Sequence, residues 1–138
     1  MKVRDREINK RRVKDFLKQS WHNSLKCSHS PAEGRSHRNV KYMLMDYCLE
    51  HGLDFYTEAT FSNGERADFI ISDWVLVIEV LDSEEEKRFR GKTYPLPVLP
   101  VSAKTDFFSL NVMLDDLATC NGQNFHYYEQ KYWKKVGA

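Results

Sequence analysis

The clearest pattern lies mid-chain, where apolar blocks alternate with turn residues. Residues 55–61 and 66–72, and a run through Trp74 to Leu81, read as three strands. Asn63-Gly64 and Ser72-Asp73 mark the turns between them. The second and third blocks are apolar on both faces, the pattern of a sheet covered on two sides. Upstream, residues 5–25 place Val13, Phe16, Leu17, Trp21 and Leu25 largely at helical spacing. Lys and Arg fill the other faces, so the segment predicts a basic amphipathic helix packed weakly on the domain. Ser36 is expected to cap a helix over 37–51, with Val40, Met43, Leu44, Tyr47 and Cys48 inward and Gly52 as its stop.

Downstream, Ser83-Glu84-Glu85-Glu86 has capping-box form, and Lys87, Arg88 and Arg90 suit the end of that short helix. Residues 97–101 predict a fourth strand, irregular or at an edge because of Pro97 and Pro100. A helix over 106–118 would face Phe107, Leu110, Met113, Leu114 and Leu117 inward. Phe125, Tyr128, Tyr132 and Val136 fit a docked C-terminal helix, with a strand as the alternative. The order α, α, β, β, β, α, β, α, α predicts an α/β fold, a mixed sheet flanked by helices.

A chain of 138 residues, 41% hydrophobic, is expected to form one core. Charge divides it into a basic helical arm and loop (1–36) and a main domain (37–138). Residues 1–40 hold 11 Lys+Arg against 4 Asp+Glu, net +7; residues 41–138 hold 10 against 16, net −6. The basic side suits a polyanion, or is simply a solvated tail. No apolar run is long enough for a membrane span, and the N-terminus lacks a signal-peptide core, so a cytoplasmic protein is expected. Cys27, Cys48 and Cys120 suggest no disulfide framework. His22, Cys27, His29 and His37 are zinc-ligand types without a standard finger spacing, which leaves a zinc-stabilised adaptor as a weak alternative.

The chemistry sits on Glu58, Asp68 and Glu79. Glu79 interrupts an apolar run, where a charge is costly unless compensated. A two-residue Asp73-Trp74 loop would pair Ser72 with Val75 and set Asp68 opposite Glu79. A three-residue Ser62-Asn63-Gly64 loop would set Glu58 opposite Asp68; a two-residue Asn63-Gly64 loop would turn Glu58 to the other face. Adjacent carboxylates repel unless a cation or proton lies between them. Mg²⁺ or Mn²⁺ is one such cation, and carboxylate-held ions of this kind promote phosphodiester hydrolysis.

Asp68 followed after ten residues by Glu79, on adjacent strands after a helix, resembles the PD-(D/E)xK nuclease superfamily. That superfamily has the restriction-endonuclease-like fold, shared with archaeal Holliday-junction resolvases. The wording Thr57-Glu58-Ala59, Arg66-Ala67-Asp68, Glu79-Val80-Leu81 also resembles small nuclease-like proteins of archaea and archaeal viruses. The resemblance covers residues 38–104. It implies an αβββαβ core, a divalent metal on Asp68 and Glu79, DNA as partner and a homodimer. A viral member would act in the host cytoplasm. Glu58, Asp68 and Glu79 would then be catalytic. The superfamily's lysine should stand two residues after Glu79, where this chain has Leu81. Lys92 is the preferred replacement, with Lys87 and Lys104 open. Arg11, Arg12, Lys14, Lys41 and Arg66 are the expected DNA contacts, with His37 beside Lys41. The expected activity is metal-dependent hydrolysis of DNA; the rival is a non-catalytic DNA-binding or assembly module on a nuclease fold.

Overall fold

The computed structural model describes residues 2–24, 34–82 and 93–136. Within them the central blocks form strands close to their expected bounds: β2 (Phe55–Phe61), β3 (Arg66–Ile71) and β4 (Leu76–Leu81). The first turn is the three-residue form. Gly64 takes φ +90°, and Phe61 N–H donates to Glu65 O at 2.8 Å. Phe55 therefore pairs with Ile71 and Thr60 with Arg66.

The second turn differs from the expected two-residue loop. Ser72–Trp74 form a single 3₁₀ turn, and Val75 adopts φ +52°. Ile71 pairs with Leu76 and Phe69 with Ile78. The longer loop is centred on the same point, so the register is the expected one.

β1 (Leu17–His22) and β5 (Val98–Ser102) complete a five-stranded sheet of order β1-β2-β3-β4-β5. Its pairings are antiparallel except the parallel β4–β5 pair. The fold is thus α/β with a mixed sheet. Val77 N–H donates to Pro97 O and Ala103 N–H to Leu81 O, both at 2.9 Å. Odd-numbered residues of β5 therefore face β4, and Pro100 turns its missing N–H to the outer edge.

Two helical layers cover the sheet. On one face α2 (Arg35–Glu50) and α3 (Phe107–Thr119) bury Val40, Leu44, Tyr47, Leu110, Leu114 and Leu117 against Phe55, Phe69, Ile78 and Leu99. On the other, Val13 of α1 (Val3–Phe16) packs with Tyr56, Phe61, Ile70 and Val77. The C-terminal segment is a helix, α4 (Phe125–Lys135), and Tyr132 is its buried residue. Among the described residues no helix is long and apolar enough to cross a membrane.

Several expectations give way. The first helix stops at Phe16, and residues 17–22 pair with β2, because an unfilled sheet edge outweighs weak helical periodicity. The basic arm thus contributes both a helix and a strand to the main body. Its helix is anchored by charge as much as by Val13. Arg6 pairs with buried Asp73, Asn9 Nδ2 donates to Asp73 O at 2.8 Å, and Lys10 meets Asp54 at 2.8 Å. Partial burial opposes ionisation of Asp54, but its bond to Lys10 prevails and holds the carboxyl below its usual range.

Gly34, not Ser36, precedes α2, and Ser36 lies inside the helix. Phe107 is 60% exposed, since Leu110, Leu114 and Leu117 already fill the inward stripe of α3. The expected helix at 83–91 lies outside the described residues.

Gly122, at φ +81°, packs under the second turn, and a Cβ there would stand 2.9 Å from Trp74 Cβ. Gly64 has open space around the same position. Gly122→Ala should therefore cost about 2–3 kcal/mol in urea unfolding, combining backbone strain with overpacking, against about 1 kcal/mol for Gly64→Ala. Equal losses would show that Trp74 yields freely.

Candidate active site

The paired residues recorded between β3 and β4 end at Phe69 and Ile78. Beyond them the carboxylates take over from the main chain. Asp68 N–H donates to Glu79 Oε1 at 2.7 Å, and Val80 N–H donates to Asp68 Oδ2 at 2.9 Å. Each acid thus satisfies an N–H on the other strand that the ladder would otherwise leave unpaired. Asp68 and Glu79 are brought together as the register requires, and Glu79 is 3% exposed.

Glu58 joins them by a break in strand alternation. In β2, Tyr56 and Ala59 share the α1-side core although they are three residues apart; in β3, so do Ala67 and Ile70. Odd spacing on one face means that each strand skips one alternation, while the pairing stays in step. Glu58 sits at the break with φ +46°, an uncommon conformation for a residue with a side chain. The break presents Glu58 and Asp68 to the first turns of α2. Lys41 Nζ meets Glu58 Oε1 at 2.8 Å, and His37 Nε2 lies 3.3 Å from Asp68 Oδ2. His37 and Lys41 are four residues apart, hence on one helix face.

Arg66 Nε reaches Glu58 Oε2 at 3.3 Å while remaining 62% exposed on its side chain. The Tyr94 hydroxyl interacts with Glu79. Burial first, then the charge of Glu79 and a hydrogen bond to it, push the Tyr94 hydroxyl well above its ordinary range, so it stays protonated.

Two expected roles change. Lys41 is 0% exposed and directed to Glu58, so it is an interior cation and not a surface phosphate contact. Arg66, expected as a DNA contact, pairs with Glu58. Arg11, Arg12 and Lys14 are exposed on α1, and no hydrogen bond or ion pair links them to the three acids among the described residues. Lys87 and Lys92 lie outside the described residues. Thr93 O accepts from Asn63 Nδ2 at 2.9 Å, so the described chain resumes against the β2–β3 turn. Lys104 is exposed, and its N–H bonds Ser102 Oγ at 3.1 Å. Leu81 is buried in β4. Of the zinc-type residues, His22 approaches Asp54 at 3.5 Å, His37 holds Asp68, and Cys27 and His29 lie outside the described residues.

Tyr94 was not anticipated as a site residue. Its only signal was its place in the segment returning to the sheet.

Asp68 and Glu79 are hard oxygen donors on neighbouring strands. Mg²⁺ is commonly held by one or two carboxylates completed by water and substrate phosphate, so this donor set fits. Among the described residues no three His, Cys, Asp or Glu side chains form a group able to hold a metal by themselves. Compared with family models, curated proteins and solved structures, the chain matches none.

Removing the Lys41 charge should expose how the interior acid is held. Lys41→Met is expected to cost about 3 kcal/mol in chemical unfolding, the low end for a broken buried pair because Arg66 still reaches Glu58. The double variant Lys41→Met/Glu58→Gln should recover part of that loss. No recovery would mean that Lys41 contributes packing alone.

Proposed function

We propose that this domain is a divalent-metal-dependent endonuclease of restriction-endonuclease-like architecture, hydrolysing phosphodiester bonds in DNA. The single observation carrying the reading is the crossed Asp68–Glu79 pair at the end of the β3–β4 ladder. The order α2, β2, β3, β4 and then a parallel β5 is the order this architecture requires, with the connection at 83–92 outside the described residues.

Asp68 and Glu79 would hold Mg²⁺ or Mn²⁺. Bound there, the ion supplies Lewis acidity to a phosphate and an attacking water. The chain's own groups do the rest. The backbone N–H bonds fix both carboxylates, and a hydrogen bond from the Tyr94 hydroxyl adds to the hold on Glu79. His37 stands against Asp68, placed to orient it or to exchange a proton with nearby water. Glu58 holds Lys41 inside the site, where its positive charge offsets the acidic cluster and favours an incoming phosphate. Arg66, anchored by Glu58 yet largely exposed, is the group placed to meet a backbone phosphate from solvent.

Leu81 favours a second reading, a DNA-binding or assembly module without cutting activity, because a buried leucine stands where the superfamily's lysine is expected. Incubation of supercoiled and linear DNA with Mg²⁺ or Mn²⁺ separates the two. The nuclease reading expects cleavage that EDTA abolishes and that Asp68→Asn or Glu79→Gln each reduces by about a hundredfold or more. DNA binding with no metal-dependent cutting would reject it in favour of the module.

A further inference from the structure

A second charged feature lies away from the acids. A cleft of about 720 Å³ opens between α1 and β1, lined by Lys10, Arg11, Lys14 and Lys18, with His22 and Tyr56 at its aromatic end. Its acids are Glu7 and Asp54, and both are engaged: Lys10 lies 2.8 Å from Asp54 and 3.6 Å from Glu7. Arg11, Lys14 and Lys18 are exposed and take no hydrogen-bond or ion-pair partner among the described residues. Three like charges along one cleft repel each other, and the described residues give them no direct partner. An external polyanion would supply one. His22 stacks on Tyr56 at 4.7 Å with its side chain about half exposed, which gives the cleft a ring surface beside its cations.

From this arrangement we infer that the α1–β1 cleft binds the phosphodiester backbone of nucleic acid, separately from the acidic site. Arg11, Lys14 and Lys18 contact successive phosphates. His22 offers its outer ring face to a base when the strand is single. This deepens the proposed function, on whose nucleic-acid substrate it rests, and it changes which cations grip the strand. Arg12 lines a different cleft, with Trp74, Pro97 and Gly122. Lys41 is buried against Glu58, and Arg66, also held by Glu58, serves the acidic site and not this cleft. Lys18, on the strand that replaces the expected helix end, enters the set. The placement also explains why β1 matters: it carries Lys18 and His22 across from the helix that carries Arg11 and Lys14.

Fluorescence anisotropy of labelled single-stranded and duplex DNA, in EDTA and across a salt series, tests this without requiring any cutting. The variant Arg11→Ala/Lys14→Ala/Lys18→Ala should bind about tenfold or more weakly at low salt, and its salt slope should fall by about 1 for each lost phosphate contact. Arg12→Ala should bind as the wild type does. His22→Ala should weaken single-stranded DNA and spare the duplex, which distinguishes the two sources of backbone. All five positions are exposed, and unchanged thermal unfolding confirms that the variants are folded. Wild-type affinity and slope in the triple variant, or an equal loss in Arg12→Ala, would overturn the assignment. Wild-type binding lost only in the triple variant, with no cutting under any metal, would sustain the cleft while rejecting the nuclease.

Discussion

Two crossed hydrogen bonds, from Asp68 N–H to Glu79 and from Val80 N–H to Asp68, hold β3 and β4 where their main-chain pairing stops. Backbone donors inside a protein must find acceptors, and here the acceptors are charged side chains. The carboxylates are therefore structural and chemical at once. They complete the sheet, and in doing so they are fixed side by side with lone pairs to spare, since a carboxylate offers about four acceptor positions. Such rigidity is what a metal site or a phosphate site needs, because ordering is complete before the ligand arrives.

The surrounding charges follow from that constraint. Glu58 and the Asp68–Glu79 pair call for compensation, and the protein supplies it from three elements. α2 contributes buried Lys41 and His37, β3 contributes Arg66, and the returning segment contributes Tyr94. Glu58 reaches this group only because β2 breaks alternation at a residue with φ +46°. Strain of this kind, of the order of 1–3 kcal/mol, persists where the surroundings over-determine it, and it gathers at functional sites. Here Lys41 and Arg66 grip opposite oxygens of Glu58 and hold it in place.

The register of the central meander was legible because it depends on local turn chemistry. Gly64 supplies the positive φ of the first turn, and the second turn keeps its centre whether the loop has two residues or four. Prolines marked β5 as an edge for an equally local reason. What sequence hid is tertiary. Strand β1 forms because β2 offers an edge, not because residues 17–22 have a strong pattern of their own. Lys41 reads as a surface cation on a helix until Glu58 is known to face it. The alternation break was hidden as well, since Tyr56, Ala59 and Phe61 would all be buried in a regular strand covered on both faces. Nothing in that spacing marked Glu58 as irregular. Nothing in it pointed to Tyr94, which depends on a return path set by the whole chain.

A metal site requires Asp68 and Glu79 to form one ligand pair and not a self-sufficient polar clasp. Crystals grown or soaked with Mn²⁺, measured at a wavelength where manganese scatters anomalously, test this directly. A single strong peak within coordination distance of both carboxylates, absent from Asp68→Asn crystals, is expected. Well-ordered carboxylates with no peak at saturating Mn²⁺, or a peak that ignores both residues, would contradict it.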